Sequence, residues 1–267
     1  MRISYGKLRV PVHRIDGDEV LACEVSVEVL GENFLPAYTD GDNANVVATD
    51  TMKNFILRES LTYDGTDLEG LLLHLGNRFI STYPVMEAVR MSAKELRFDR
   101  LGERVYSRSA DDYGVAAVEP DGTVRGGRHG MMLLKTRGSA FTKFARDEYT
   151  TLPETADRIL ATSVTASWMY RPGTTDFAAR DRIRAALVET FAAHDSRSVQ
   201  HTLYAMAEAA IGACADVDEI TLTLPNRHHL LVDLTPFGLD NANEVFLATD
   251  QPFGLIEATI RRKKGKV

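Results

Sequence analysis

Asn45-Val46-Val47-Ala48-Thr49-Asp50-Thr51-Met52-Lys53-Asn54 is the stretch on which the reading of this chain turns. It ends an irregular acidic loop, Tyr38-Thr39-Asp40-Gly41-Asp42-Asn43, and opens a helix with Thr and Asp at its mouth. A helix start carries unpaired backbone N–H groups and a partial positive charge, so it has two uses. Either Thr49 or Asp50 caps it through a side-chain oxygen, or the amides stay open to an anionic ligand.

Outward from that helix the periodicity changes. Residues 8–15 and 19–30 are expected to form a β-hairpin, because Glu24-Val25-Ser26-Val27-Glu28-Val29 alternates and Asp16-Gly17-Asp18 supplies turn chemistry. The helix is expected over about 49–60 and a second over about 67–80. Thr66-Asp67-Leu68-Glu69 has the form of a capping box, and Leu68, Leu71, Leu72, Leu75 and Phe79 make a core stripe at helical spacing. Strand patterns follow from Pro84 to about Phe98 and from about 104 to 118, then a turn at Pro120-Asp121-Gly122 and a return. The second half repeats this order. Strands are expected at Met131 to Lys135 and Ile159 to Tyr170, helices at Asp176 to His194 and Ser198 to Ala213, and strands at 219–224, 229–234, 244–249 and 254–261. Too little helix separates the strands for a parallel doubly wound sheet. The fold class is therefore α+β, with antiparallel sheets carrying paired helices on one face, in two halves at 1–128 and 129–267. Sheet edges and second faces then need covering, which assembly provides.

Composition excludes several functions. A formal charge of −7 and a pI near 5.5 give no general attraction to nucleic acid or anionic membrane. The basic run Arg261-Arg262-Lys263-Lys264-Gly265-Lys266 reads as a solvated tail. Cys23 and Cys214 lie far apart without C-x-x-C spacing, so neither a disulfide framework nor a zinc site is signalled. No window approaches a membrane span, and Met1-Arg2-Ile3-Ser4-Tyr5 lacks the form of a signal peptide. There is no Gly-rich nucleotide loop, no H-E-x-x-H, no G-x-S-x-G and no carboxylate cluster at metal spacing. His228 and His229 are adjacent in an expected strand and so point to opposite faces. No metal or cofactor is expected.

Val47-Ala48-Thr49-Asp50-Thr51-x-Lys53-Asn54 resembles the signature of the urate oxidases (uricases), and four further blocks match that family in the same order. They are Tyr5-Gly6-Lys7; Phe141 through Arg158 within GSAFTKFARDEYTTLPETADRIL; Ser198-Val199-Gln200-His201-Thr202-Leu203-Tyr204; and Leu224-Pro225-Asn226-Arg227-His228 with Asn243-Glu244-Val245-Phe246. The resemblance implies two tandem tunnelling-fold (T-fold) domains. It also implies a homotetramer enclosing a tunnel, active sites at subunit interfaces, and cofactor-free oxidation of urate by dioxygen to 5-hydroxyisourate and hydrogen peroxide. Phe141 matches the ring on which the purine stacks, Arg158 the guanidinium fork, and Gln200, beside Val199, the amide that reads the purine edge. Lys7 and Thr49 match the base dyad, with the N–H groups around Thr49 and Asp50 holding the imidazole side of the purine. Asn226 matches the dioxygen or water site and His228 a proton relay. The chain departs from the family at Phe55-Ile56-Leu57 after Lys53-Asn54 and at Thr142-Lys143, where an aromatic or His and then Gly are common. It ends Gly265-Lys266-Val267 rather than in a peroxisomal tripeptide of the Ser-Lys-Leu kind, from which a bacterial cytoplasm is expected. Two other readings share the motifs: a T-fold enzyme acting on a pterin, and a non-catalytic purine-binding homologue.

Overall fold

A computed structural model describes residues 3–263; Met1, Arg2 and the last four residues, which include Lys264 and Lys266 of the basic tail, lie outside the described residues. The chain divides into two compact units. The first comprises Met1–Arg128, Ser167–Arg180 and Asp216–Asp218, and the second His129–Ala166, Asp181–Ala215 and Glu219–Val267.

In the first unit the expected hairpin is β1 (Ser4–Asp16) and β2 (Glu19–Leu30), antiparallel, with Gly17 turning the chain at a left-handed φ of 58°. A short helix, α1 (Leu35–Thr39), leads into the acidic loop before α2 (Thr49–Ser60) and α3 (Leu68–Thr82). β3 (Ala88–Glu95) pairs with β2 and with β6 (Tyr113–Val118), giving the order β1-β2-β3-β6, and β4 (Phe98–Arg100) with β5 (Tyr106–Arg108) makes a separate two-stranded ribbon. The long strands expected to reach Phe98 and to run over 104–118 are therefore broken. Leu96 still donates to Ala22, but Arg97 turns to Asp99 and Asp112, and Asp112 also takes Arg128. Val25, Val27 and Val29 of β2 are fully buried under Met52 and Ile56 of α2 and Leu71, Leu72, Leu75 and Phe79 of α3. Helices of 12 and 15 residues are marginal in isolation, so this apolar contact holds them.

The capping box is not formed as expected. Asp67 is the N-cap of α3 and accepts from the Gly70 N–H at 2.6 Å, one residue later than a Thr66 cap requires. Glu69 is buried instead, taking Arg180 at 2.7 Å and the Tyr170 hydroxyl at 3.1 Å.

In the second unit the strand order is β7 (Val124–Lys135, entering from the first unit), β8 (Leu160–Tyr170), β9 (Val217–Leu231) and β10 (Phe246–Arg261). α4 (Ala179–Ala193) buries Ile183, Leu187 and Phe191, and α5 (Val199–Ala213) packs over β10, burying Val199, Leu203, Met206 and Ala210. Arg262 closes the C-terminal end of α5, donating to the Ile211 and Cys214 carbonyls at 2.5 Å each. The four short strands expected after α5 are two long ones. β9 runs through Pro225, which faces Leu255, and the irregularity falls on β10 between Thr249 and Gly254. Both cysteines are buried and outside any disulfide, and burial pushes Cys23 up to about 12.

Candidate active site

Lys7 on β1 and Thr49 and Asp50 at the start of α2 lie on packed elements of the first unit, near enough for the Lys7 charge to act on Asp50. β1 reaches Lys7 in register with Val27 and resumes at Val10 opposite Val25, so one extra residue bulges at Leu8-Arg9. Arg9 takes a left-handed φ of 57° there and is pinned by Ser26 and, through both guanidinium branches, by Glu24. The bulge keeps Tyr5 and Lys7 on the face that Val10 and Val12 bury, where α2 packs on β1. Gly6 is required between them, because any Cβ would collide with the Val27 carbonyl. Tyr5 then reaches across to accept the Val47 N–H at 2.8 Å, tying the entry of α2 to β1.

That entry leaves the helix start without a side-chain cap. Ala48 is the N-cap, with no side-chain cap, so neither Thr49 nor Asp50 closes the helix. Both are exposed at its first two positions. Asp50 accepts from the next turn of its own helix, from Lys53 and from the Asn54 amide at 3.1 Å. Its carboxyl is held below the ordinary carboxylate range, first by Lys53 and, in smaller measure, by Asn54 and the Lys7 charge. The first-turn amides are left uncapped beside a half-buried Lys7.

The second group lies in the second unit, on three segments laced by backbone bonds. Phe141 exchanges N–H···O bonds with Thr155 at 2.8 and 3.0 Å, Arg158 N–H donates to Ser139 at 2.8 Å, and Ala140 N–H donates to Ser196 at 2.7 Å. Ser196 leads into α5, whose N-cap Ser198 accepts from the His201 N–H at 3.1 Å. This lacing brings Phe141, Arg158 and the first turn of α5, with buried Val199 and exposed Gln200, into one locale. The Arg158 guanidinium carbon stands 5.3 Å from the Phe141 ring centre. Its Nε is enclosed without a hydrogen-bond partner, and burial holds the guanidinium below the ordinary arginine range with no carboxylate among the causes. Such a cation is incomplete until an anion with paired acceptors meets it.

Asn226 and His228 are half-buried on one face of β9, the face that Leu222 and Leu224 bury. Pro225-Asn226 is thus strand rather than turn, and His228 and His229 point apart. Among the described residues no group of three or more His, Cys, Asp or Glu gathers at metal-holding geometry, and no helix is long and apolar enough to cross a membrane. A groove of about 490 Å³ on the first unit, lined by Arg9, Glu24, Ser26, Lys94 and Arg125, contains none of the expected site residues. Two residues outside the expected set belong to the site geometry. Tyr5 holds the entry of α2, and Phe144 stacks on Phe141 with centroids 4.8 Å apart and planes 11° apart. Their signals in the sequence were the Tyr5-Gly6-Lys7 word and the three-residue spacing of the two phenylalanines.

An α+β chain of antiparallel sheets and helix pairs, with an arginine whose buried Nε lacks a partner among the described residues set against an aromatic ring, and with an uncapped helix start, defines a protein suited to a flat anionic heterocycle. The family model described as Uricase matches residues 3–119 and 124–257. The uricase of Arthrobacter globiformis is 41% identical over 271 residues, covering 97% of this chain and 89% of that protein. The uricase of Dictyostelium discoideum is 32% identical, covering 98% and 97%. The crystal structure of uricase from Arthrobacter globiformis superposes with a TM-score of 0.91 at 40% identity, over 100% of this chain and 96% of that one. A uricase from Bacillus fastidious does so with a TM-score of 0.86 at 28% identity, over 97% and 93%. The chain belongs to the uricase family, and these matches lend no support to the pterin or the non-catalytic reading.

Proposed function

We propose that this chain is a cofactor-independent urate oxidase, converting urate, dioxygen and water to 5-hydroxyisourate and hydrogen peroxide. The observation that carries this reading, within a uricase-family chain, is Arg158 standing against Phe141 with its buried Nε unpartnered among the described residues. Urate is a planar monoanion at neutral pH. Phe141 supplies a face on which to stack, Arg158 meets the anion with a planar fork, and the Gln200 amide donates and accepts along one edge beside Val199. The uncapped amides at Thr49 and Asp50 suit the opposite, imidazole-side edge.

Triplet dioxygen does not add directly to a closed-shell purine. An electron-rich urate dianion can instead transfer one electron to dioxygen and recombine as a radical pair, so the protein must remove a second proton and place dioxygen. Thr49 is a weak base unless a neighbour takes its proton, and Lys7 is the partner we assign, working through water. Asn226 is assigned the dioxygen or water position, and His228 the proton relay. Hydrogen peroxide leaves as water delivers the hydroxyl at C5, so both oxygen atoms of dioxygen end in the peroxide.

The two groups of residues lie in different compact units. We therefore propose that complete sites form at the subunit interfaces of a homotetramer of tandem T-fold domains, 1–128 and 129–267. Sheet edges at β1 and β10 support such assembly. A cytoplasmic setting fits the two cysteines outside any disulfide and the acidic surface.

The test is to mix purified, chelator-treated protein with urate in air and follow the near-ultraviolet urate band, dioxygen uptake and peroxide together. Loss of the band with matched dioxygen consumption and peroxide release is expected. Tight urate binding without turnover would reject the oxidase reading.

A further inference from the structure

The two rings at Phe141 and Phe144 lie nearly parallel, and the chain adopts an unfavourable backbone to put them there. In Phe141-Thr142-Lys143-Phe144 the third residue has φ 57°, a left-handed conformation that glycine tolerates and lysine resists. The Lys143 side chain is exposed, so no contact of its own accounts for that conformation. Its N–H, however, donates to Glu154 Oε1 at 2.9 Å, and the next residue, Thr155, exchanges backbone bonds with Phe141. The turn is thus clamped at both ends to the segment that carries Arg158.

What the turn achieves is the stack. Neither ring is part of the apolar core, both being only half-buried. Arg146 stands 5.4 Å from the Phe144 ring centre, as Arg158 stands 5.3 Å from that of Phe141. An isolated half-exposed phenylalanine rotates among staggered wells, whereas one stacked within 11° of a neighbour has its ring plane set.

We propose that Phe144 is a positioning residue for the heterocycle. It holds the Phe141 ring in the plane on which the purine stacks, and the left-handed turn at Lys143 exists to present it. The role rests on the urate reading above, and Phe144 acts through Phe141 rather than by touching substrate.

The test compares Phe144→Leu and Phe144→Tyr with the unaltered chain, measuring urate dissociation under anaerobic conditions and KM and kcat in air. Ordering a freed side chain on binding weakens affinity by roughly two- to tenfold. Phe144→Leu should therefore raise Kd and KM by that factor with little change in kcat, while Phe144→Tyr, which keeps the stack, stays at the unaltered values. Phe144→Met carries the same expectation if the leucine variant does not fold. An unaltered Kd in Phe144→Leu or Phe144→Met overturns this role, as does Phe144→Tyr weakening as much as leucine. Unaltered protein that binds no urate overturns the urate reading and this role with it; binding by that protein with equal binding by the leucine variant overturns this role alone.

Discussion

Replacing Arg158 by Lys retains the charge and removes the fork, which isolates the feature on which urate binding is argued to rest. Arg158 is half-buried, its Nε is enclosed and unpartnered among the described residues, and its guanidinium carbon lies 5.3 Å from the Phe141 ring centre. A lysine ammonium at this position presents one compact donor centre where arginine presents two parallel N–H groups, so one charge-assisted bond of a bidentate pair is lost. Such bonds contribute about 1.5–3 kcal/mol net, which at about 1.4 kcal/mol per decade is roughly a 10- to 100-fold weakening. Lysine is also the more strongly hydrated cation, so a half-buried position penalises it further and the lower figure is a floor. The assay is titration of anaerobic protein with urate by calorimetry or equilibrium dialysis, followed by steady-state kinetics in air. Because the bond is made in ground and transition states alike, Kd and KM should rise together with kcat little changed. A Kd within about twofold of the unaltered protein would refute the claim that the fork is the anion anchor.

Other perturbations bear on other links. Thr49→Ala should lower turnover by roughly 10²- to 10⁴-fold, the usual worth of a positioned proton acceptor, while leaving anaerobic urate binding nearly intact; unchanged turnover would remove the dyad from the mechanism. Glu69→Ala leaves Arg180 buried without its 2.7 Å partner and should destabilise the fold by about 3–5 kcal/mol; a chemical-denaturation midpoint equal to that of the unaltered chain would contradict the buried pair. Stability should also fall as pH drops through the ordinary histidine range near about 6.5. Burial, then the charges of His201 and Lys135, hold His194 below that range against an opposing Asp195. The unfolded chain therefore binds that proton more readily than the folded one, and the contribution is fully present only above the unfolded value. His194→Gln should flatten the melting temperature against pH between about 7 and 5.5, and an unaltered slope would show that His194 does not carry it.

The family was legible where several short words had to occur together, and local structure was illegible where a residue's partner lies far along the chain. Thr66-Asp67-Leu68-Glu69 has every local mark of a capping box, yet Glu69 is drawn to Arg180, 111 residues on, and Asp67 caps α3 instead. Periodicity placed α2 at 49–60 and α3 close to its observed limits because apolar stripes at helical spacing are local facts. It divided β9 at Pro225 and β10 near Gly254, because a missing N–H and a bulge look alike in one dimension.

By itself the sequence determined the α+β class, the four long helices, the core stripe, the absence of nucleotide and metal motifs, and membership of a family through five ordered words. Those follow from composition, spacing and identity, which need no partner. Tertiary structure alone decided that the mouth of α2 is left uncapped by Thr49 and Asp50, with its entry held by Tyr5 from β1. It decided that Arg158 stands half-buried against Phe141 with its Nε unpartnered, and that a left-handed Lys143 folds Phe144 onto the same ring. Each of these depends on which backbone a side chain meets across the fold. An isolated helix start offers no means of telling a cap from an open anion site, because the choice is made by the energies of contacts that only the folded chain brings together.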